Sequence, residues 1–111
     1  MVKTIRIKLD YLSGPIWKEF FDEETGMEST GVTVVDRDFE INELNQTIQD
    51  LYSSYFRFDV SGNQSNFDVE QEILDKGKLL GLLAALNRRL SEINDGSFVV
   101  LDEETPRLQR L

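Results

Sequence analysis

Hydrophobic and polar positions alternate at the start of the chain. Ile5, Ile7, Leu9 and Tyr11 fall on one side of an extended segment and Thr4, Arg6, Lys8 and Asp10 on the other, which predicts a half-buried strand over 3–11. Ser13-Gly14-Pro15 breaks that run. The aromatic stretch over 16–21 is too short for a helix and reads as a second strand, turned by Glu23-Glu24-Thr25-Gly26. Gly31-Val32-Thr33-Val34-Val35 is β-branched and reads as a third strand, so a β-meander is expected at this end.

The period then changes. Leu44, Ile48, Leu51, Tyr52 and Tyr55 recur at i, i+4, i+7, i+8 and i+11, one face of a helix over 42–55 that Asn42 or Asp38 can cap. Phe56, Phe58 and Val60 alternate with Arg57 and Asp59 and predict a short strand, followed by turn chemistry at Ser61-Gly62-Asn63. Asp68-Val69-Glu70-Gln71 matches a capping box. It opens a long helix whose apolar stripe includes Ile73, Leu79, Leu80, Leu83, Leu86, Leu90 and Ile93. Asn94-Asp95-Gly96 stops this helix, and 97–101 reads as a last short strand. The expected architecture is α+β, one antiparallel sheet with two helices packed on one face, in a single domain over 1–111.

Composition narrows the chemistry. The 111 residues are 40% hydrophobic and 30% charged, which suits a globular chain rather than a disordered one. There is no cysteine and no histidine, so disulfides, thiolate catalysis, Cys/His zinc sites and a Ser–His–Asp triad are all excluded. Lys and Arg number 12 against 21 Asp and Glu, a net charge of −9. That charge repels nucleic-acid phosphates and anionic membrane surfaces, so neither is expected as a partner. The alternating N-terminus is no signal peptide, and the apolar run over 79–86 is too short to span a bilayer. A cytoplasmic protein without a cofactor is expected. A homo-oligomer is compatible with the sequence, and nothing in it argues for or against a closed dimer.

Several local patterns bear on function. Asp59, Ser61, Asn63, Ser65 and Glu70 occupy positions 1, 3, 5, 7 and 12 of a calcium-loop window, but Gln64 stands where the loop's tight turn needs glycine. A polar hairpin followed by a capped helix is the preferred reading, and no metal site is assigned. Gly77 and Gly81 sit inside the long helix at a cost of about 1 kcal/mol each relative to alanine. That cost suggests close approach of a neighbouring element of the same domain, or else of a partner's backbone. Arg88 and Arg89, near the helix end, are expected to complement its dipole and no more.

The peptide Asp-Glu-Glu-Thr occurs twice, at Asp22–Thr25 and Asp102–Thr105, each after an apolar run. Paired carboxylates can serve as acid and base when burial separates their pKa values, but consecutive acids in a turn are more often solvated. The better functional reading is a negative surface offered to a basic partner, formed by Asp22, Glu23, Glu24, Asp102, Glu103 and Glu104. Among the aromatics Trp17, Phe20, Phe21, Tyr52 and Tyr55, Trp17 is expected nearest the surface and is nominated as an anchor. No catalytic residue is assigned.

The runs Gly14-Pro15-Ile16-Trp17, Leu51-Tyr52-Ser53-Ser54-Tyr55-Phe56 and Glu92-Ile93-Asn94-Asp95-Gly96-Ser97 resemble the immunity proteins that bacteria make against their own delivered toxins, including those of contact-dependent growth inhibition. The resemblance implies tight one-to-one binding of a cognate toxin domain, often a basic nuclease, with its active site blocked. It brings no catalytic residues. A non-catalytic adaptor or structural subunit is the first alternative, and a carboxylate-based hydrolase the second.

Overall fold

Alternation at the N-terminus does produce a strand, β1 (Lys3–Ile7), but its partner lies at the far end of the chain. It pairs in parallel with β6 (Phe98–Asp102), placing Lys3 opposite Phe98 and Ile7 opposite Asp102. Parallel strands need a long crossover, and here every intervening element belongs to it. Ile5, Ile7 and Phe98 point inward from this pair and join the core, with Leu9 just beyond β1. The computed structural model describes residues 2–111, leaving aside the side chains of Gln64 and Ser65.

The expected second strand is realised only in fragments. Ile16 bridges Ile7 antiparallel, and the Trp17 N–H donates to the Arg6 carbonyl at 3.3 Å. The chain then leaves β1. β2 (Phe20–Asp22) forms a separate hairpin with β3 (Met27–Ser29).

The strand predicted at Gly31–Val35 is not one. Its residues form a single helical turn, α1 (Thr33–Asp36). The reason is local and polar. Gly31 takes φ +82°, and the Asp36 carboxylate accepts from the Thr30 N–H at 2.9 Å, the Thr30 hydroxyl at 2.8 Å and the Ser29 hydroxyl. That knot folds 29–36 back on itself, and Val32 and Val35 become buried at helical spacing.

The first predicted helix starts earlier than its apolar stripe, as α2 (Phe39–Ser53). Asp38 caps it, accepting from the Ile41 N–H at 3.0 Å, whereas Asn42 lies inside. β4 (Phe56–Phe58) and β5 (Gln64–Phe67) form a second hairpin, with Gly62 at φ +87° in its turn. Tyr52, Tyr55, Phe56 and Phe67 gather against it as tilted and edge-to-face rings, with centroids 5.0 to 6.1 Å apart.

The long second helix is broken in two, α3 (Val69–Leu74) and α4 (Lys76–Ile93). Asp68 caps the first as predicted, accepting from the Gln71 N–H at 3.0 Å. At the break, Asp75 has no free side chain with which to cap α4. Its carboxylate is held by the Tyr55 hydroxyl at 2.6 Å and the Gln71 amide at 3.1 Å. Ile73, assigned to the buried stripe, is consequently exposed, while Leu79, Leu83, Leu86 and Leu90 are fully buried. A last short helix, α5 (Glu104–Gln109), packs on α4.

The molecule therefore mixes helix and strand, but the single antiparallel sheet is replaced. Among the described residues the strands form three two-stranded sheets, of which β1–β6 is parallel, and there are five helices rather than two. Strands of three to five residues leave little ladder to extend, and the core rests mainly on α2 and α4 packed together, with Ile5 and Ile7 of β1 in the same cluster. No helix among the described residues is long and apolar enough to cross a membrane.

Candidate functional site

The first acidic cluster ends the β2–β3 hairpin. Asp22 Oδ1 accepts from the Glu24 N–H at 2.9 Å and the Thr25 N–H at 3.4 Å, and the Gly26 N–H closes onto the Asp22 carbonyl at 2.8 Å. Glu23 and Glu24 are left projecting into solvent. Phe20, Asp22, Met27 and Ser29 share one face of the hairpin and Phe21 and Glu28 the other. Three of these are large apolar side chains with half or more of their surface open: Phe20 at 50%, Phe21 at 64% and Met27 at 65%.

Beneath the hairpin lies a cleft of about 460 Å³, walled by β2, β3 and the segment running into α2. Its carboxylates are Asp22, Glu24, Glu28 and Asp36, against the two cations Lys18 and Arg37, while Phe20, Phe21 and Met27 supply apolar lining. Gly31 lets the base of the hairpin close. A Cβ there would stand 2.9 Å from the Phe20 ring, and Lys3 Nζ caps that ring 4.8 Å from its centroid.

A second, more polar cleft of about 430 Å³ shares Lys18 and Glu28 with the first and contains Trp17. Trp17 and the first acidic cluster thus lie along one continuous surface. Trp17 is not the most exposed aromatic, however. It is half-buried, and its indole N–H donates to the Lys8 carbonyl at 2.7 Å, while Phe20 and Phe21 are open. A ring tied to backbone in this way holds the 8–17 loop together, and Gly14 is required beside it because a Cβ would fall 2.2 Å from the same carbonyl. Tyr55 is buried and Tyr52 half-buried in the ring cluster. Burial drives both phenol pKa values up, and for Tyr55 the bond to Asp75 adds to it.

The second acidic cluster is not the solvated turn expected of it. Asp102 Oδ1 accepts from the Glu104 and Thr105 N–H groups, both at 2.9 Å, and Oδ2 from the Asn87 amide at 2.9 Å and the Thr105 hydroxyl. Burial pushes the Asp102 carboxyl up, but these donors outweigh it and leave its pKa below the ordinary value. Only Glu103 is exposed, 3.4 Å from Arg6. Glu104 is 3% exposed and bonds Arg107 Nε through both oxygens at 2.9 Å. Arg107 reaches on to Glu72, itself 2% exposed, at 2.8 Å.

Other positions singled out in the sequence resolve differently. Arg89 does more than complement a dipole, because it grips the Asp38 cap of α2 through Nε at 3.1 Å and an Nη at 2.6 Å. That pairing is the largest cause holding the Asp38 carboxyl below its ordinary pKa. Gly77 and Gly81 face open space, with nothing within 4 Å of a Cβ at either, so no neighbouring element of the domain needs them. Asp59 is spent on its own turn, accepting from the Ser61 and Asn63 N–H groups at 3.0 and 2.9 Å. The Ser65 side chain, the seventh ligand position, lies outside the described residues. Among the described residues no group of three or more acidic, His or Cys side chains is placed to hold a metal ion.

Of the nominated contact residues, Asp22 and Glu24 line the first cleft with Glu23 exposed between them, and Trp17 lines the adjoining polar cleft, whereas Asp102 and Glu104 are consumed within the fold. Sequence reasoning weighed Phe20 and Phe21 but ranked Trp17 nearer the surface, and it missed Met27, because alternation cannot tell that both faces of this hairpin stay open. In comparison with known proteins, the chain matches no family model, no curated protein and no solved structure.

Proposed function

We propose that this protein is a non-catalytic, acidic protein-binding inhibitor of the immunity type, which docks a basic partner, such as a bacterial nuclease toxin domain, through the β2–β3 cleft in the cytoplasm. The observation that carries the reading is a cleft with four carboxylates against two cations and three exposed large apolar side chains. An excess of negative charge beside exposed apolar side chains combines fast electrostatic encounter with anchoring by side chains that become buried on docking. The net charge of −9 extends the attraction beyond the cleft itself.

Capture from source-cell lysate on the tagged protein, eluted by a salt gradient and read by native mass spectrometry, tests it. A single basic protein in one-to-one ratio, lost when Asp22, Glu23 and Glu24 are replaced by lysine and inhibited when bound, is the expected result. A stable complex whose partner remains fully active would favour an adaptor. Capture that ignores the lysine variant would remove the cleft from the interface.

A further inference from the structure

The outer edge of β6 has no partner strand among the described residues. The Lys3 N–H donates to the Ser97 carbonyl and the Glu103 N–H to the Ile7 carbonyl. In a parallel ladder these bonds turn the odd-numbered residues of β6 toward β1 and the backbone of Phe98, Val100 and Asp102 the other way. Among the described residues no strand pairs with that second edge. One group on it is engaged, the Phe98 carbonyl, which accepts from the Asn94 amide at 3.0 Å. Three consecutive apolar side chains beside the edge are open to solvent: Val99 at 52%, Val100 at 36% and Leu101 at 47%. The strand has no proline, lysine or bulge to blunt the edge, and its one charged side chain, Asp102, is already bonded to Asn87 and Thr105 of its own chain.

We propose that this edge pairs with the same edge of a second copy, antiparallel and centred on Val100, joining two β1–β6 pairs into one four-stranded sheet. The register argues for a second copy because the strand complements itself there. The two Val100 residues exchange backbone bonds, Val99 lies opposite Leu101 of the partner chain, and these are aliphatic cross-strand pairs. The acids avoid one another: Asp102 faces Phe98, Glu103 faces Ser97, and Asp95 would face Thr105. A two-fold axis through Val100 closes the assembly at two chains and leaves no further β6 edge. Because each chain carries −9, association tightens as salt rises, the opposite of the salt dependence of docking to a basic partner.

Sedimentation velocity over the micromolar to millimolar range, at low and high salt, tests the pairing. Val99 and Leu101 lie on the open outer face, so the monomer tolerates charge there. Val99→Glu with Leu101→Glu sets carboxylate against carboxylate across the seam and weakens the dimer by at least about tenfold. Val99→Arg with Leu101→Glu sets opposite charges in the same register and restores it. Circular dichroism on each variant checks that the monomer remains folded, and slowed hydrogen exchange at Val100 and Asp102 in the dimer locates the seam. A chain monomeric throughout that range overturns the proposal, as does a dimer indifferent to the paired glutamates. Protection of Val100 and Asp102 only when a different protein is added also overturns it, and makes that protein the occupant.

Discussion

The two Asp-Glu-Glu-Thr segments are the same four residues with different fates. Both aspartates do the same local work, accepting from the N–H groups two and three positions on, at 2.9 and 3.4 Å in the first and 2.9 and 2.9 Å in the second. Short-range geometry is thus a property of the peptide. After the first, Gly26 adopts φ +70° and returns the chain as a hairpin. After the second, Pro106 sits in the first turn of a helix, where its missing N–H costs nothing, and Leu108 and Arg107 pull that helix onto the core. The second glutamate is therefore exposed in one copy and almost fully buried in the other. Identical charge lies open at a hairpin turn in one place and forms an internal ion pair in the other.

Several measurements would break or sharpen that contrast. The largest effect is expected from Arg107→Ala, which leaves Glu72 and Glu104 buried without their cation. We expect a loss of about 3 kcal/mol in denaturant unfolding, toward the low end for a broken buried pair because the arginine itself is 37% exposed. A loss under 1 kcal/mol would mean that water reaches those carboxylates. Lysine substitution at Asp22, Glu23 and Glu24 together should leave unfolding within about 1 kcal/mol of the parent. The same triple variant should slow association with a basic partner by about 10-fold to 100-fold at low salt. Equal destabilisation by the matching substitutions at both segments would abolish the distinction.

Smaller effects follow from the aspartates themselves. Asp102→Ala removes an acceptor that serves four donors and should cost about 2 kcal/mol, against under about 1 kcal/mol for Asp22→Ala, whose turn lies in solvent. The pH dependence has a definite sign. Asp102 and Asp38 have folded pKa values below their unfolded ones, so the folded state binds fewer protons. The stability they contribute is complete above the ordinary carboxyl pKa and is lost as pH falls below about 4. Asp102→Asn should flatten that acid limb, which urea titrations between acid and neutral pH would reveal. Outside both segments, Gly77→Ala and Gly81→Ala should each raise stability by about 1 kcal/mol, since nothing in the fold occupies the space a methyl would take. Destabilisation would point to a backbone demand at those positions.

Local signals carried over faithfully. The Asp68 cap, the Asp38 cap as one of the two offered, the turns at Gly26, Gly62 and Gly96, and the buried leucines of α4 follow from side-chain chemistry and periodicity within a few residues. Composition excluded cysteine and histidine chemistry without reference to any fold. What only the tertiary structure decided was pairing and burial. Nothing between residues 3 and 102 announces that β1 joins β6 in parallel, because that choice depends on a shared core in which Ile5, Ile7 and Phe98 meet leucines from the middle of the chain. The Val-rich segment before Asp36 became a helical turn because that carboxylate gathered three nearby donors. The long helix is interrupted at Asp75, whose carboxylate is tied to the hydroxyl of Tyr55, 20 residues away. For the candidate site, charge was legible and exposure was not. A carboxylate's cost depends on the dielectric and the donors around it, and those are set by residues far away in sequence, as Glu72 and Arg107 set them for Glu104.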